Sequence, residues 1–116
     1  MLITHVFAGI PTADFQSAVA WYERFFGRAP SRFPTEGEAV WQLSDTGLVY
    51  LVADEARAGH ALVTLIVDDL DEWMRGLERR GIPPGETETL SSAVRRTSNV
   101  DPDGNTIAVG EVPGRT

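Results

Sequence analysis

The stretch HVFAGIPTAD, residues 5–14, is answered by HALVTLIVDD, residues 60–69. In each, a histidine stands nine residues before an aspartate, and the copies are 55 residues apart (60 − 5 and 69 − 14). Each runs from an apolar strand-like segment, His5–Ile10 or Ala61–Val67, through the aspartate into an amphipathic stretch. Those stretches end at Gly27 and Gly81. A period of this size in a chain of 116 residues means that one supersecondary unit has been duplicated. Two units, not three or more, predict paired modules about a pseudo-twofold axis rather than a solenoid. Function in such an arrangement is expected where the modules face each other.

Working outward, Asp14 reads as the N-cap of a helix whose apolar positions Phe15, Ala18, Val19, Tyr22 and Phe25 follow helical spacing. Asp69 has the same role, with Glu72 three residues on as in a capping box and Leu70, Trp73, Met74 and Leu77 as the buried stripe. Helices are expected near Asp14–Phe26 and Asp69–Arg80. Strands are expected at Leu2–Ile10, and at Ala39–Leu43 and Leu48–Val52 around the turn SDTG (44–47). In the second copy they fall at Ala61–Val67, and at Ala93–Ser98 and Thr106–Val112 around DPDGN (101–105). Further short strands near Arg32 and Thr87 complete the order βαβββ twice, an α+β class. The whole chain, 1–116, reads as one domain, with module one at 1–55 and module two at 59–112.

Composition narrows the partners. There is no cysteine, which excludes disulfides, thiolate metal sites and cysteine nucleophiles together. The net charge of −7 argues against nucleic acid and favours a cationic or neutral ligand. No apolar run reaches membrane-spanning length and the N-terminus lacks a basic signal-peptide region, so no membrane partner and a cytoplasmic location are expected. All ten basic residues are arginine, which we read as a mark of genome composition.

Three stretches, IPTADFQSAVAWYERFFG (10–27), VDDLDEWMRGLERRG (67–81) and DPDGNTIAV (101–109), together with their spacing, resemble the vicinal oxygen chelate superfamily. That superfamily holds the glyoxalase, bleomycin-resistance, fosfomycin-resistance and extradiol-dioxygenase proteins. The resemblance implies that each βαβββ module curls into a half-open barrel, that the modules enclose a cleft, and that the chain forms a homodimer. In the superfamily's enzymes a divalent metal sits in that cleft, held from the first and last strands of each module. Carried across position by position, the metal ligands fall on Phe7, Tyr50, Leu62 and Ala108. These four cannot supply the imidazole and carboxylate set a divalent cation requires.

Strand parity points the same way. Val6, Ala8 and Ile10, then Ala61, Val63, Leu65 and Val67, then Ile107 and Val109 are uniformly apolar and suit a helix-covered face. The alternate set is mixed and suits a cleft. It contains His5, Phe7, Tyr50, His60, Leu62 and Ala108. His5 and His60 lie two residues upstream of the metal positions, roughly 6.6–6.8 Å along a strand. They are open to three readings: ordinary polar residues at strand starts, ligand contacts, or a displaced metal pair. Parity leaves both faces open for Trp41. Trp21 and Trp73 read as packing residues, and Asp101 and Asp103 as turn formers. Arg95 and Arg96 are adjacent on a strand and must face opposite sides. Glu111 falls on the helix-facing parity.

The expected function is binding of a small organic molecule, a drug or metabolite, in a metal-free, aromatic-lined cleft. The site residues are His5, Phe7, Trp41, Tyr50, His60, Leu62 and Ala108, with no cofactor. The alternative is an enzyme of the lyase, isomerase or dioxygenase type, using a divalent metal at His5/His60 or one histidine as general base. A third possibility is a domain that uses the cleft or a sheet edge to bind another protein.

Overall fold

Asp14 and Asp69 each start a helix in the computed structural model, which describes residues 1–91 and 93–112. The Asp14 carboxylate accepts from Ser17 N and the Asp69 carboxylate from Glu72 N, so each satisfies an otherwise orphaned donor of the first turn. The capping box at Asp69 is only half formed. The Glu72 carboxylate turns outward to Arg75 and Arg79 instead of reaching back. The first module runs β1 (Val6–Thr12), α1 (Phe15–Phe26), β2 (Arg32–Thr35), β3 (Glu38–Gln42) and β4 (Gly47–Ala53). The second runs β5 (Leu62–Ile66), α2 (Leu70–Arg79), β6 (Thr87–Ser91), β7 (Val94–Val100) and β8 (Thr106–Glu111). This is βαβββ twice, as the repeat predicts.

Each module forms its own four-stranded sheet, in the orders β1-β4-β3-β2 and β5-β8-β7-β6. We call them sheets A and B. β1 lies parallel to β4, and β5 parallel to β8, while the other pairs are antiparallel. β1 opens at Val6 and not at Leu2, because the register sets Val6 opposite Gly47, the first residue of β4. Residues before Val6 have no strand to pair with, and Leu2 and Ile3 are exposed. At the other end of sheet B, β7 runs on to Val100 and β8 stops at Glu111.

The helix-side faces of both sheets share one core. Ile10, Tyr22, Phe25, Trp41 and Leu51 pack in the same cluster as Val63, Leu70, Leu77, Ile107 and Val109. The modules are thus fused through their helix-covered sides, and the other faces of the sheets carry no helix. Two polar fasteners join them as well. Arg80 of module two donates from Nη2 to the carbonyl of Phe25 at 2.9 Å and from Nε to that of Arg24, capping α1 from outside. Its guanidinium stands 5.9 Å from the Trp73 ring centre, and a Cβ at Gly76 would meet its Nη1 at 2.8 Å, so that glycine makes its berth.

The second fastener is the DPDGN turn. Buried Asp101 accepts from Tyr22 Oη at 2.6 Å, from Asp103 N and Asn105 N at 2.9 Å each, and from Asn105 Nδ2 at 3.0 Å. Asn105 donates to Pro11 O and accepts from Gly59 N and Ala61 N, while Asp103 accepts from Thr12 Oγ1 and Ala13 N. The turn of one module is therefore bonded to the strand–helix junction of the other. Asp101 and Asp103 do form a turn, as expected, but they also latch the modules together.

Burial pushes the Tyr22 hydroxyl far above its ordinary value of 10.0, and the hydrogen bond to Asp101 and the charges of Asp101 and Asp103 act in the same direction. A pKa raised on folding contributes stability in full below the unfolded value, and that contribution is lost as pH rises beyond it. We expect urea unfolding of the native chain to show stability falling from about pH 10 upward, and the fall to be shallower in Tyr22→Phe. Equal pH slopes in the two proteins would contradict the assignment.

Candidate functional site

The helix-free face of sheet A is built on the β1–β4 pair. Phe7 stands opposite Leu48 and Gln42, and the next row holds Gly9, Tyr50, Val40 and Arg32. Phe7 and Tyr50 meet edge to face, with ring centres 6.2 Å apart. Glycine at position 9 permits this, since a Cβ there would come within 2.9 Å of the Tyr50 ring. Phe7 is 46% exposed, although a large apolar ring gains most from burial. Val40 and Leu48 on the same face are buried, as happens to residues along the trough of a curled sheet.

Sheet B repeats the pattern with smaller side chains. Leu62 shares a row with Thr106 and Val100, and Ala108 shares the next with Thr64 and Ser98. Phe7 and Leu62 are equivalent in the two modules. So are Tyr50 and Ala108, which lie opposite Gly9 and Thr64, positions 55 apart. Leu62 is 75% and Val100 64% exposed, while Ala108 is buried. Arg96 and Glu88 form an exposed ion pair on this face. Arg95 turns to the other side, bonding Asp71 and Glu111, and Glu111 in turn accepts from Leu70 N at the start of α2. Parity thus places Arg95, Arg96 and Glu111 as expected.

The structure brings the site residues together in two pairs. Phe7 and Tyr50 lie on one sheet, Leu62 and Ala108 on the other. Trp41 belongs to neither, contrary to its expected place in the cleft. It is 0% exposed on the helix side, packed on Tyr22 and Phe26, with its indole N–H donating to Arg28 O at 2.9 Å. Parity could not place it because β3 is buried on both faces: Ala39, Val40 and Trp41 are all inside.

The histidines do not form a pair either. His5 precedes β1 and its Nδ1 is 3.0 Å from Thr4 Oγ1. His60 lines a shallow depression with Gly9 and Pro11. Those residues are four to six positions along β1 from His5, on the order of 13–20 Å. Within one chain the two imidazoles cannot reach one ion at the ~2.0–2.1 Å that zinc–nitrogen bonds require. Among the described residues no three His, Asp or Glu side chains cluster as a metal site would need.

A family model described as the glyoxalase/bleomycin resistance protein/dioxygenase superfamily matches residues 2–109. The chain belongs to that superfamily. A glyoxalase/bleomycin resistance protein from Catenulispora acidiphila DSM 44928 is 46% identical, with a TM-score of 0.89 over 94% of this chain and 98% of its own. Proteins of more distant sequence share the fold. A bleomycin-binding protein solved with bleomycin has a TM-score of 0.76 at 24% identity, covering 93% of this chain and 98% of the other. Lactoylglutathione lyase from Agrobacterium tumefaciens has 0.75 at 20% identity, covering 91% of each chain. No curated protein sequence matched significantly. The fold by itself does not fix the function, and the choice rests on side chains. At the positions that the resemblance assigns to metal ligands, this member offers one phenol and three hydrocarbon groups. They do not fit a divalent cation.

Proposed function

We propose that this chain is a small-molecule binding protein of the bleomycin-resistance kind, holding its ligand on the helix-free faces without a metal. The observation that carries this is the Phe7–Tyr50 pair, Phe7 exposed and Tyr50 half-buried, at positions where the resemblance would have a metalloenzyme present ligands. Aromatic and aliphatic walls with a hydroxyl and amide rim (Thr64, Ser98, Gln42) suit an organic body with few polar anchors. A net charge of −7 favours a cationic or neutral ligand. The same reading keeps the cytoplasm as the compartment. Among the described residues no helix is long and apolar enough to cross a membrane.

The cleft is completed by a second copy. The two sheets of one chain are fused by their helix sides, which leaves Phe7, Leu62 and Val100 uncovered. A homodimer that sets sheet A of one protomer against sheet B of its partner covers them and brings Phe7 and Tyr50 toward the partner's Leu62 and Ala108. Light scattering should report twice the chain mass at tens of micromolar, about what an interface of standard size sustains. A monomer at that concentration would remove the second wall of the cleft. Ligand binding itself is tested by thermal shift of chelator-treated protein across a panel of small organic molecules, bleomycin included.

A further inference from the structure

The duplication is broken at the inter-module latch, and a cavity lies at the unlatched counterpart. In module two the β7–β8 turn latches onto module one by Asp101 to Tyr22, Asp103 to Thr12 and Asn105 to Pro11. The pseudo-twofold sets a counterpart on the other side, where the β3–β4 turn meets the β5–α2 junction. Helix and first-strand positions map by adding 55, so Tyr22 corresponds to Leu77 and Thr12 to Val67. Last-strand positions map by 58 (106 − 48), since Leu48 pairs with Phe7 as Thr106 pairs with Leu62. Asp101 therefore corresponds to Leu43, and Asn105 to Gly47. Tyr22, Thr12, Asp101 and Asn105 are thus matched by residues with no polar side chain, and of the latch only Asp103 keeps its like, at Asp45. The counterpart is a gap of about 440 Å³ whose lining includes Leu43, Gly47 and Val67.

The walls specify what fits. Val6, Phe26 and Trp73 add apolar surface, and Val6 is 67% exposed. Two nitrogen-bearing side chains, Trp73 and Arg28, stand on the lining. The Trp73 indole N–H is buried and has no hydrogen-bond partner among the described residues. Arg28 is the one charged residue on the lining, and it makes no ion pair among the described residues. In a chain of net charge −7, a lining with a cation and no carboxylate is selective.

We propose that this seam between the modules, which adjoins the helix-free faces at Leu48 and Thr64, is a second binding site for a small apolar molecule bearing a carboxylate. Its aromatic or aliphatic body takes the place of the missing latch against Phe26, Val67 and Trp73, and its carboxylate pairs with Arg28. The proposal does not depend on the function of the cleft.

The probe is 2-naphthoate, with 2-naphthylmethylamine as the same shape in the opposite charge. Calorimetry should show saturable binding of naphthoate, and Arg28→Gln should weaken it about tenfold or more, as for loss of a charge-assisted hydrogen bond. The amine should bind at least about tenfold more weakly. In ¹H–¹⁵N spectra the Trp73 indole signal should move on titration. Arg28 is exposed, so its variant should fold normally, and Tyr50→Ala should leave naphthoate affinity unchanged. Absence of saturable binding, equal affinity for the two probes, indifference to Arg28→Gln, or loss of binding in Tyr50→Ala would each overturn the proposal.

Discussion

Asp101→Ala should lower folding stability by about 3–5 kcal/mol. The carboxylate is buried and accepts four hydrogen bonds, one of them from a tyrosine in the other module. Removing it strands the Tyr22 hydroxyl and the Asn105 amide where water does not reach, so the cost is that of unsatisfied buried donors. Tyr22→Phe removes only the donor and leaves the carboxylate its three other partners, so it should cost about 1–2 kcal/mol. Denaturant midpoints of the two variants test this order. A Tyr22→Phe loss equal to that of Asp101→Ala would mean that the inter-module bond alone carries the latch.

Phe7→Ala and Tyr50→Ala should each weaken ligand binding roughly 30-fold or more while leaving the fold intact. An aromatic side chain offers about 150–250 Å² of surface. Half of that against a ligand, at ~25 cal/mol per Å², is about 2–3 kcal/mol. Phe7 is already half exposed in the free chain, so its truncation opens no core cavity. Thermal midpoints within a few degrees of the native protein, together with the lost affinity, are the expected pair of results. Unchanged affinity for every ligand in the panel would place binding elsewhere.

Much of this was legible in the residues. The 55-residue repeat predicted two βαβββ modules, because each copy carries its own cap, helical stripe and strand alternation, all short-range signals. Parity also placed Phe7, Tyr50, Leu62 and Ala108 off the helix side. Trp41 escaped it because alternation distinguishes faces only when one is polar, and β3 is buried on both. The latch was hidden for a different reason. Tyr22 and Asp101 are 79 positions apart, and each has an adequate local role, one in a helical stripe and one in a turn. The separation of the histidines needed the fold, since the repeat gives their equivalence but not that β1 and β5 meet end to start.

On the proposed function, the helix-free faces bind an organic molecule and need no metal to do so. This is tested most directly by titrating a ligand identified in the panel into protein stripped with a chelator and assayed for metal content. The stripped protein should keep full affinity, gain none on adding zinc, nickel, manganese or iron, and lose affinity in Phe7→Ala and Tyr50→Ala. Stoichiometric metal that is required for binding and is lost in His5→Ala or His60→Ala would contradict it and move the protein to the enzymes of its superfamily.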